Sequence, residues 1–388
     1  MPRPKAIVEL IRDRSLRFTE GNRVEVYDTG REGLAAMLAA IDGARRRVHL
    51  ETYILRSDGT GRRFLDALAK RARAGVEVRL LYDGFGSLGL DESALQPLIG
   101  AGGEVVVFNR FAPFWPRFAP RRRDHRKILV VDGAVGFTGG LNVGDEYVSG
   151  LGPLAREAEW RDAHVRVEGP AVRDLEAVFL ESWFRADGPA LEWRALLEGE
   201  RPRAGHVRCA VLSDGPAYRR RRMRELLVSA LRAAEREVRL VSPYFAPGRR
   251  VLELLGDASA RGVQVVLLLA GDHTDHPSLR RASRAVLPGL LERGVQVYEH
   301  DTEMMHAKVA CFDHSWAVVG SSNLDRQSFE HSYEVNLVIE DEGIAKRLRD
   351  RIDADTAKGR HVDLATLASR GFIDRLLDRL AAVLLRWI

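Results

Sequence analysis

Two segments of the chain carry residues that do acid–base and nucleophilic chemistry, and they carry them at one spacing. His125, Lys127 and Asp132 form an H-x-K-x4-D run, and His306, Lys308 and Asp313 form a second. A glycine-containing turn ending in asparagine follows each, with Gly139, Gly140 and Asn142 in the first and Gly320, Ser321, Ser322 and Asn323 in the second. The apolar runs KILVV and KVACF read as strands, so His and Lys, two positions apart, project from one side. A single H-x-K is an ordinary polar pair on a strand. Two copies with the same sequel point to a site built from both. Two His, two Lys and two Asn would form a pocket of positive charge and amide donors around groups that titrate near neutrality. A phosphodiester suits such a pocket. Lysines and asparagines would hold its non-bridging oxygens and neutralise transition-state charge. One histidine attacks phosphorus to form a phosphohistidine; the other protonates the leaving oxygen and deprotonates the incoming alcohol or water. The lysines supply the charge, so neither a metal nor a cofactor is expected. The copies are chemically equivalent, which leaves the order of the histidines open.

The elements that position these residues also repeat. RRVHLETYIL near Tyr53 matches REVRLVSPYF near Tyr244. A helix with Phe64, Leu65, Leu68 and Ala72, stopped at Gly75, matches one with Leu252, Leu255 and Ala258, stopped at Gly262. AGGEVVVFNR matches ERGVQVYEH, and the two H-x-K segments follow. Four elements in one order at nearly constant separation mark an internal duplication. Strands alternate with helices, which predicts an α/β fold: two similar sandwich halves with mainly parallel sheets, related by a pseudo-twofold axis, with the site at their interface. The predicted units are residues 1–200, residues 201–358 and a helical tail, 359–388. The junction is set in the Pro-containing, charged stretch LEGERPRAG.

Composition sets the outer limits. With 388 residues, 45% hydrophobic and 30% charged, the chain is long enough for two core-forming units and is not of a disordered type. A net charge of +5 favours anionic partners without choosing among them. Cys209 and Cys311 show no metal or disulfide spacing, and Cys311 reads as a small buried hydrophobe. The first residues lack a signal-type apolar segment, and no run of about 18 uncharged apolar residues suggests a membrane span. This predicts a cytosolic or peripheral protein.

The paired segments resemble the HxKxxxxD motifs of the phospholipase D superfamily. ETYIL, RRFLDALAKRARAGVEVRLLYDGFGS, GGLNVGDEY, EWRDAHVRVEGPAV, VRLVSPYF and SSNLDRQSFEHSYEVNLVI look like segments of its bacterial cardiolipin synthase branch, most like the shorter type without transmembrane helices. The resemblance implies transfer of a phosphatidyl group from phosphatidylglycerol to a histidine, then to a hydroxyl of a second phospholipid. Phosphatidylethanolamine is a candidate co-substrate, and no nucleic acid is expected. It also implies His125 as nucleophile and His306 as general acid/base, with Asp162 and Glu334 orienting the histidines. Asp132 and Asp313, which complete the motifs, are expected to brace the structure away from the substrate. Localisation follows as peripheral, on the cytoplasmic side of the inner membrane. Hydrolysis to phosphatidic acid, a phosphatidylserine synthase-like transfer, a metal-independent nuclease and a non-enzymatic lipid tether are the alternatives.

Three features lie outside this plan. The loop FNRFAPFWPRFAPRRRDH, with Pro113, Pro116 and Pro120 and the cations Arg121, Arg122 and Arg123, is not a regular helix. It reads equally as a packed loop or a membrane contact. GDHTDHPSL, with Asp272, His273, Asp275 and His276, reads as a rim loop rather than a metal cluster, with Asp275 a candidate substrate contact. The C-terminal stretch places Leu376, Leu377, Leu380, Val383, Leu384 and Trp387 on one helical face. Such helices usually cover a core; lying on a lipid surface is the less common use.

Overall fold

A computed structural model describes residues 16–110, 122–148, 159–199, 201–218 and 221–384. Each half is built around the same seven strands. In the first half Arg47–Thr52, Glu77–Asp83 and Glu104–Phe108 run parallel, because helical segments return the chain between them. Helix Gly59–Arg73 makes the first crossover: Asp58 caps it by accepting the Gly61 N–H at 2.9 Å, and Gly75 ends it at a φ of +83°. In the second half Glu237–Ser242, Gln264–Ala270 and Gln296–His300 repeat the pattern, with crossovers Arg249–Ala260 and Pro277–Leu291.

The α/β class and the two matching halves are as expected; the expectation of mainly parallel sheets needs correction. Parallel pairing is confined largely to the outer strands. Inward from them, Ile128–Val131 pairs with Val135–Gly139 and Val309–Phe312 with Trp316–Gly320, and both pairs are antiparallel. The physical reason is connection length. Asp132-Gly133 and Asp313-His314 turn the chain within a few residues, and so short a link only joins antiparallel neighbours. His164–Glu168 and Ser332–Glu340 extend the antiparallel centre. Then Thr19–Tyr27 and Val207–Asp214 pair with each other, so the halves merge into one 16-stranded sheet whose strand order is nearly symmetrical about that junction.

The core explains why the halves stay together. One apolar cluster lies within the second half and another within the first. A third draws on both: Ile128, Val130, Val165 and Val167 pack with Val309, Cys311, Val319 and Leu337. Cys311 is therefore a buried apolar residue, as its setting in the sequence suggested.

The C-terminal helix Phe372–Leu384 packs on Pro277–Leu291, but not through its apolar side. Asp374 and Asp378 face Arg281 at 3.2 and 3.4 Å, and Asp378 also pairs with Arg370. Phe372, Ile373, Leu376, Leu377 and Leu380 are exposed. The more usual expectation, a helix covering the core, is corrected here: two carboxylates one turn apart meet an arginine, and that sets the roll of the helix. Residues 111–121 of the aromatic loop lie outside the described residues.

Candidate active site

Each motif reaches the site by pairing with the opposite half. Arg123–Asp124 lies parallel to Ser332 and Tyr333, and the His125 N–H donates to the Tyr333 carbonyl at 2.9 Å. For the second motif, the Arg161 N–H of the first half donates to the Met304 carbonyl and the His306 N–H to the Arg161 carbonyl, both at 2.8 Å. These crossings bring each histidine to an acid of the other half. Nδ1 of His125 lies 3.0 Å from Glu334 Oε2, and Nδ1 of His306 lies 2.7 Å from Asp162 Oδ2. With Nδ1 engaged, Nε2 is the ring nitrogen left for a substrate. Both rings line one cleft of about 1470 Å³.

Lys127 and Lys308 lie behind the histidines, buried. Lys127 Nζ donates to the His125 carbonyl at 2.6 Å; Lys308 Nζ donates to the His306 carbonyl and lies 2.9 Å from its Nδ1. Burial pushes the Lys127 ammonium down to about 7 and that of Lys308 down to about 8, against the upward pull of Glu334 and Asp162 respectively. Burial, together with the two lysines, holds His125 well below the usual imidazole range. Burial and Lys308 lower His306 too, with Asp162 pulling it back. The acids diverge. Burial lifts Glu334 to about 8, although Lys127 opposes it. Burial also pushes Asp162 up, but Lys308 and His306 outweigh it and hold that carboxyl below its ordinary value.

A family model described as "Cardiolipin synthase, PLD-like domain" matches residues 37–183 and 227–356. The cardiolipin synthase of Alkalihalophilus pseudofirmus is 35% identical over 364 residues, covering 94% of this chain and 72% of that protein. Cardiolipin synthase 1 of Bacillus anthracis is 33% identical over 361 residues, covering 91% and 70%. The chain belongs to the cardiolipin synthase family. Membership makes it a phospholipase D-type phosphatidyltransferase. The crystal structure of phosphatidylserine synthase from Haemophilus influenzae matches it with a TM-score of 0.72 over 99% of this chain and 98% of the other, at 12% identity, a likeness of fold.

The remaining motif residues of this cardiolipin synthase relative fall into distinct places. Asp132 and Asp313 complete the motifs yet lie at the far end of the strands from the histidines. Asp132, at a φ of +55°, accepts the backbone N–H of Arg45, Arg46 and Arg47 at 2.7–3.0 Å. Asp313, at +49°, does the same for Glu235, Arg236 and Glu237 at 2.8–3.2 Å. Although they complete the catalytic motifs, they brace the structure away from the histidines, as expected: four strand residues separate each from its lysine, so each clamps a turn outside the cleft. Asn142 and Asn323 both line the cleft, but differently. Asn142 accepts the Ile54 N–H at 3.1 Å and donates to the Tyr147 hydroxyl at 2.7 Å. Asn323 Oδ1 has no hydrogen-bond partner among the described residues. A Cβ on Gly140 would stand 2.0 Å from Asp162 Oδ1, so glycine makes room for that acid. Ser321, its counterpart, instead donates to Glu334, and Ser322 accepts from Asn336 Nδ2 at 2.8 Å.

Tyr147, Trp160 and Arg126 were not singled out in the sequence, whereas Tyr53 was, at the end of a repeated strand. Tyr53 sets its ring edge-on to His125 at 5.0 Å; around His306, Tyr147 stands edge-on at 5.8 Å and Trp160 lies tilted at 5.3 Å. Trp160 precedes Asp162 by two residues, a proximity that is visible in EWRD. Arg126, the middle residue of the first H-x-K, is fully buried and joins the halves, donating to Ser182 Oγ at 2.8 Å and Tyr218 Oη at 3.1 Å. In the GDHTDHPSL loop, Asp275 lines the cleft and accepts from the Tyr244 hydroxyl at 2.6 Å, whereas Asp272 turns away to Arg280. Among the described residues no three His, Cys, Asp or Glu side chains gather as a metal site.

Proposed function

We propose that this chain makes cardiolipin by transphosphatidylation, taking a phosphatidyl group from phosphatidylglycerol. The observation that carries the reading is the crossed pair of His–acid contacts at one cleft, each acid coming from the opposite half. His125 Nε2 attacks the phosphorus of the donor, the bond to the glycerol oxygen breaks, and His306 gives that oxygen its proton. The hydroxyl of a second phospholipid, phosphatidylglycerol in the first instance, then attacks the phosphohistidine. His306 takes the hydroxyl proton and cardiolipin leaves. The protonated ammonium groups of Lys127 and Lys308, with the amide of Asn323, stabilise charge on the phosphoryl oxygens. Asn142, Gly140, Ser321 and Ser322 shape and brace the two turns.

The order of the histidines draws support from the acids behind them. Glu334 is weakly ionised near neutrality and exerts little pull for a second proton on His125, which favours a neutral nucleophile. Asp162 is ionised and favours the imidazolium that a general acid must be. The cleft walls favour a lipid over other phosphodiesters. On the second-half side they are apolar, with Leu252, Leu279, Ala282, Val286 and Leu290 leading away from the histidines. A peripheral position on the cytoplasmic face of the inner membrane fits such a substrate, and among the described residues no helix is long and apolar enough to cross a membrane.

The test is incubation of the pure protein with phosphatidylglycerol vesicles, with and without phosphatidylethanolamine or free alcohols, and mass identification of the products. Cardiolipin and glycerol in equal amounts are expected, unchanged by chelators. Phosphatidic acid alone would assign water as the acceptor and overturn the transferase reading.

A further inference from the structure

We propose that the helix Phe372–Leu384 seats on a lipid surface with its apolar side, next to the wall of the substrate cleft. The inference takes from the preceding reading only that the substrate resides in a membrane. Phe372 and Ile373 are 73% and 71% exposed, and Leu376, Leu377 and Leu380 continue the same stripe. Contiguous stripes of this kind are unusual on a chain surrounded by water. Its roll is held from the other side. Asp374 and Asp378 point inward to Arg281, with Arg370 completing the contact, and Asp378 is buried. Turning the stripe inward would break these pairs.

Two observations choose the occupant. Helix Pro277–Leu291 carries Arg281 on one side and lines the cleft with Leu279, Ala282, Val286 and Leu290 on another. The helix that carries the outward stripe therefore packs directly on the helix that forms an apolar wall of the cleft holding His125 and His306. A bilayer under this helix would thus lie beside the element that walls the cleft. The second observation is size. The described thirteen residues of helix are about 20 Å long and about 10 Å wide, a footprint well below the roughly 800 Å² per partner of a stable dimer. Interfacial helices need no such area, because the lipid closes around them.

The experiment uses the full chain and vesicles of phosphatidylglycerol and phosphatidylethanolamine. In co-sedimentation, Ile373→Glu combined with Leu377→Glu is expected to weaken vesicle binding at least about tenfold. Turnover of a water-soluble, short-chain phosphatidylglycerol should stay at the wild-type rate, which also reports that the variant is folded. Cys209 and Cys311 are both buried, so an environment-sensitive dye attached to Leu376→Cys labels the stripe alone. Its emission is expected to shift to the blue when vesicles are added. Unchanged vesicle binding by the double variant, or an unshifted dye, overturns the proposal. So does a dimer in sedimentation velocity that the double variant splits while vesicle binding persists. Wild-type protein that binds vesicles through this helix but turns over no lipid would instead overturn the transferase reading and leave this one standing.

Discussion

The two half-sites agree in the groups that react and differ in the groups behind them. His125 rests on Glu334, a glutamate that burial lifts to about 8 and that takes a hydrogen bond from Ser321. His306 rests on Asp162, which Lys308 and His306 hold ionised and for which Gly140 leaves space. Asn142 is tied to Ile54 and Tyr147, whereas Asn323 leaves its carbonyl oxygen unpartnered. A duplication supplies two equal imidazoles. The supports have diverged: Lys308 and His306 hold Asp162 below the usual carboxylate range, whereas burial lifts Glu334 above it, and this is the difference on which the proposed order of the histidines rests.

The sharpest way to break this comparison is to remove one histidine at a time. His125→Ala and His306→Ala should each lower kcat by about 10⁴-fold or more. Only His306→Ala should retain a trappable phosphoenzyme when incubated with donor labelled in its phosphate. Label found in His125→Ala instead would reverse the two roles. The acids come next. Asp162→Asn removes a charge and should lower kcat about 10²-fold, while Glu334→Gln replaces a largely uncharged group and should lower it about tenfold. Equal losses would show that the two acids do the same work.

A third prediction concerns pH. In the proposed mechanism Lys127 and Lys308 act as ammonium ions, and their ordinary value of 10.5 falls to about 7 and about 8. As pH rises through that window both lose protons, so kcat/KM should decline on the alkaline side, by about tenfold per pH unit once one lysine is neutral. Lys127→Arg keeps its charge and should move the decline to higher pH. A limb that stays in place belongs to another group. The smallest effects are expected at the turns. Gly140→Ala should destabilise by about 1–3 kcal/mol, since its methyl group meets Asp162, and Ser321→Gly by about 1 kcal/mol for one lost hydrogen bond, both read from thermal melts. The reverse order would mean that Asp162 moves aside freely.

Much of this was legible in the chain because it is local. The spacing of His125 to Lys127 and of His306 to Lys308 lies within one strand, and the helices that stop at Gly75 and Gly262 announce themselves by period and by a left-handed residue. What was not legible depends on pairs distant in sequence. Asp162 and Glu334 were visible as acids, but the exchange between halves depends on Ser332 and Tyr333 pairing with Arg123 and Asp124. The antiparallel centre followed from turn length at Asp132 and Asp313, which a helix–strand alternation hides. The roll of the last helix depends on Arg281, far away in sequence, so its apolar period alone pointed the wrong way. Arg126 looked like the variable letter of a motif, whereas its partners lie on both halves.

The exchange of acids also has a consequence in time. His125 leaves the ribosome more than two hundred residues ahead of Glu334, and Asp162 is made long before His306 arrives to meet it. A nascent first half therefore carries His125 without the acid that orients it. The crossed site is assembled only once the strand that bears Glu334 has been synthesised and laid beside Arg123, so its two halves are joined late in the making of the chain.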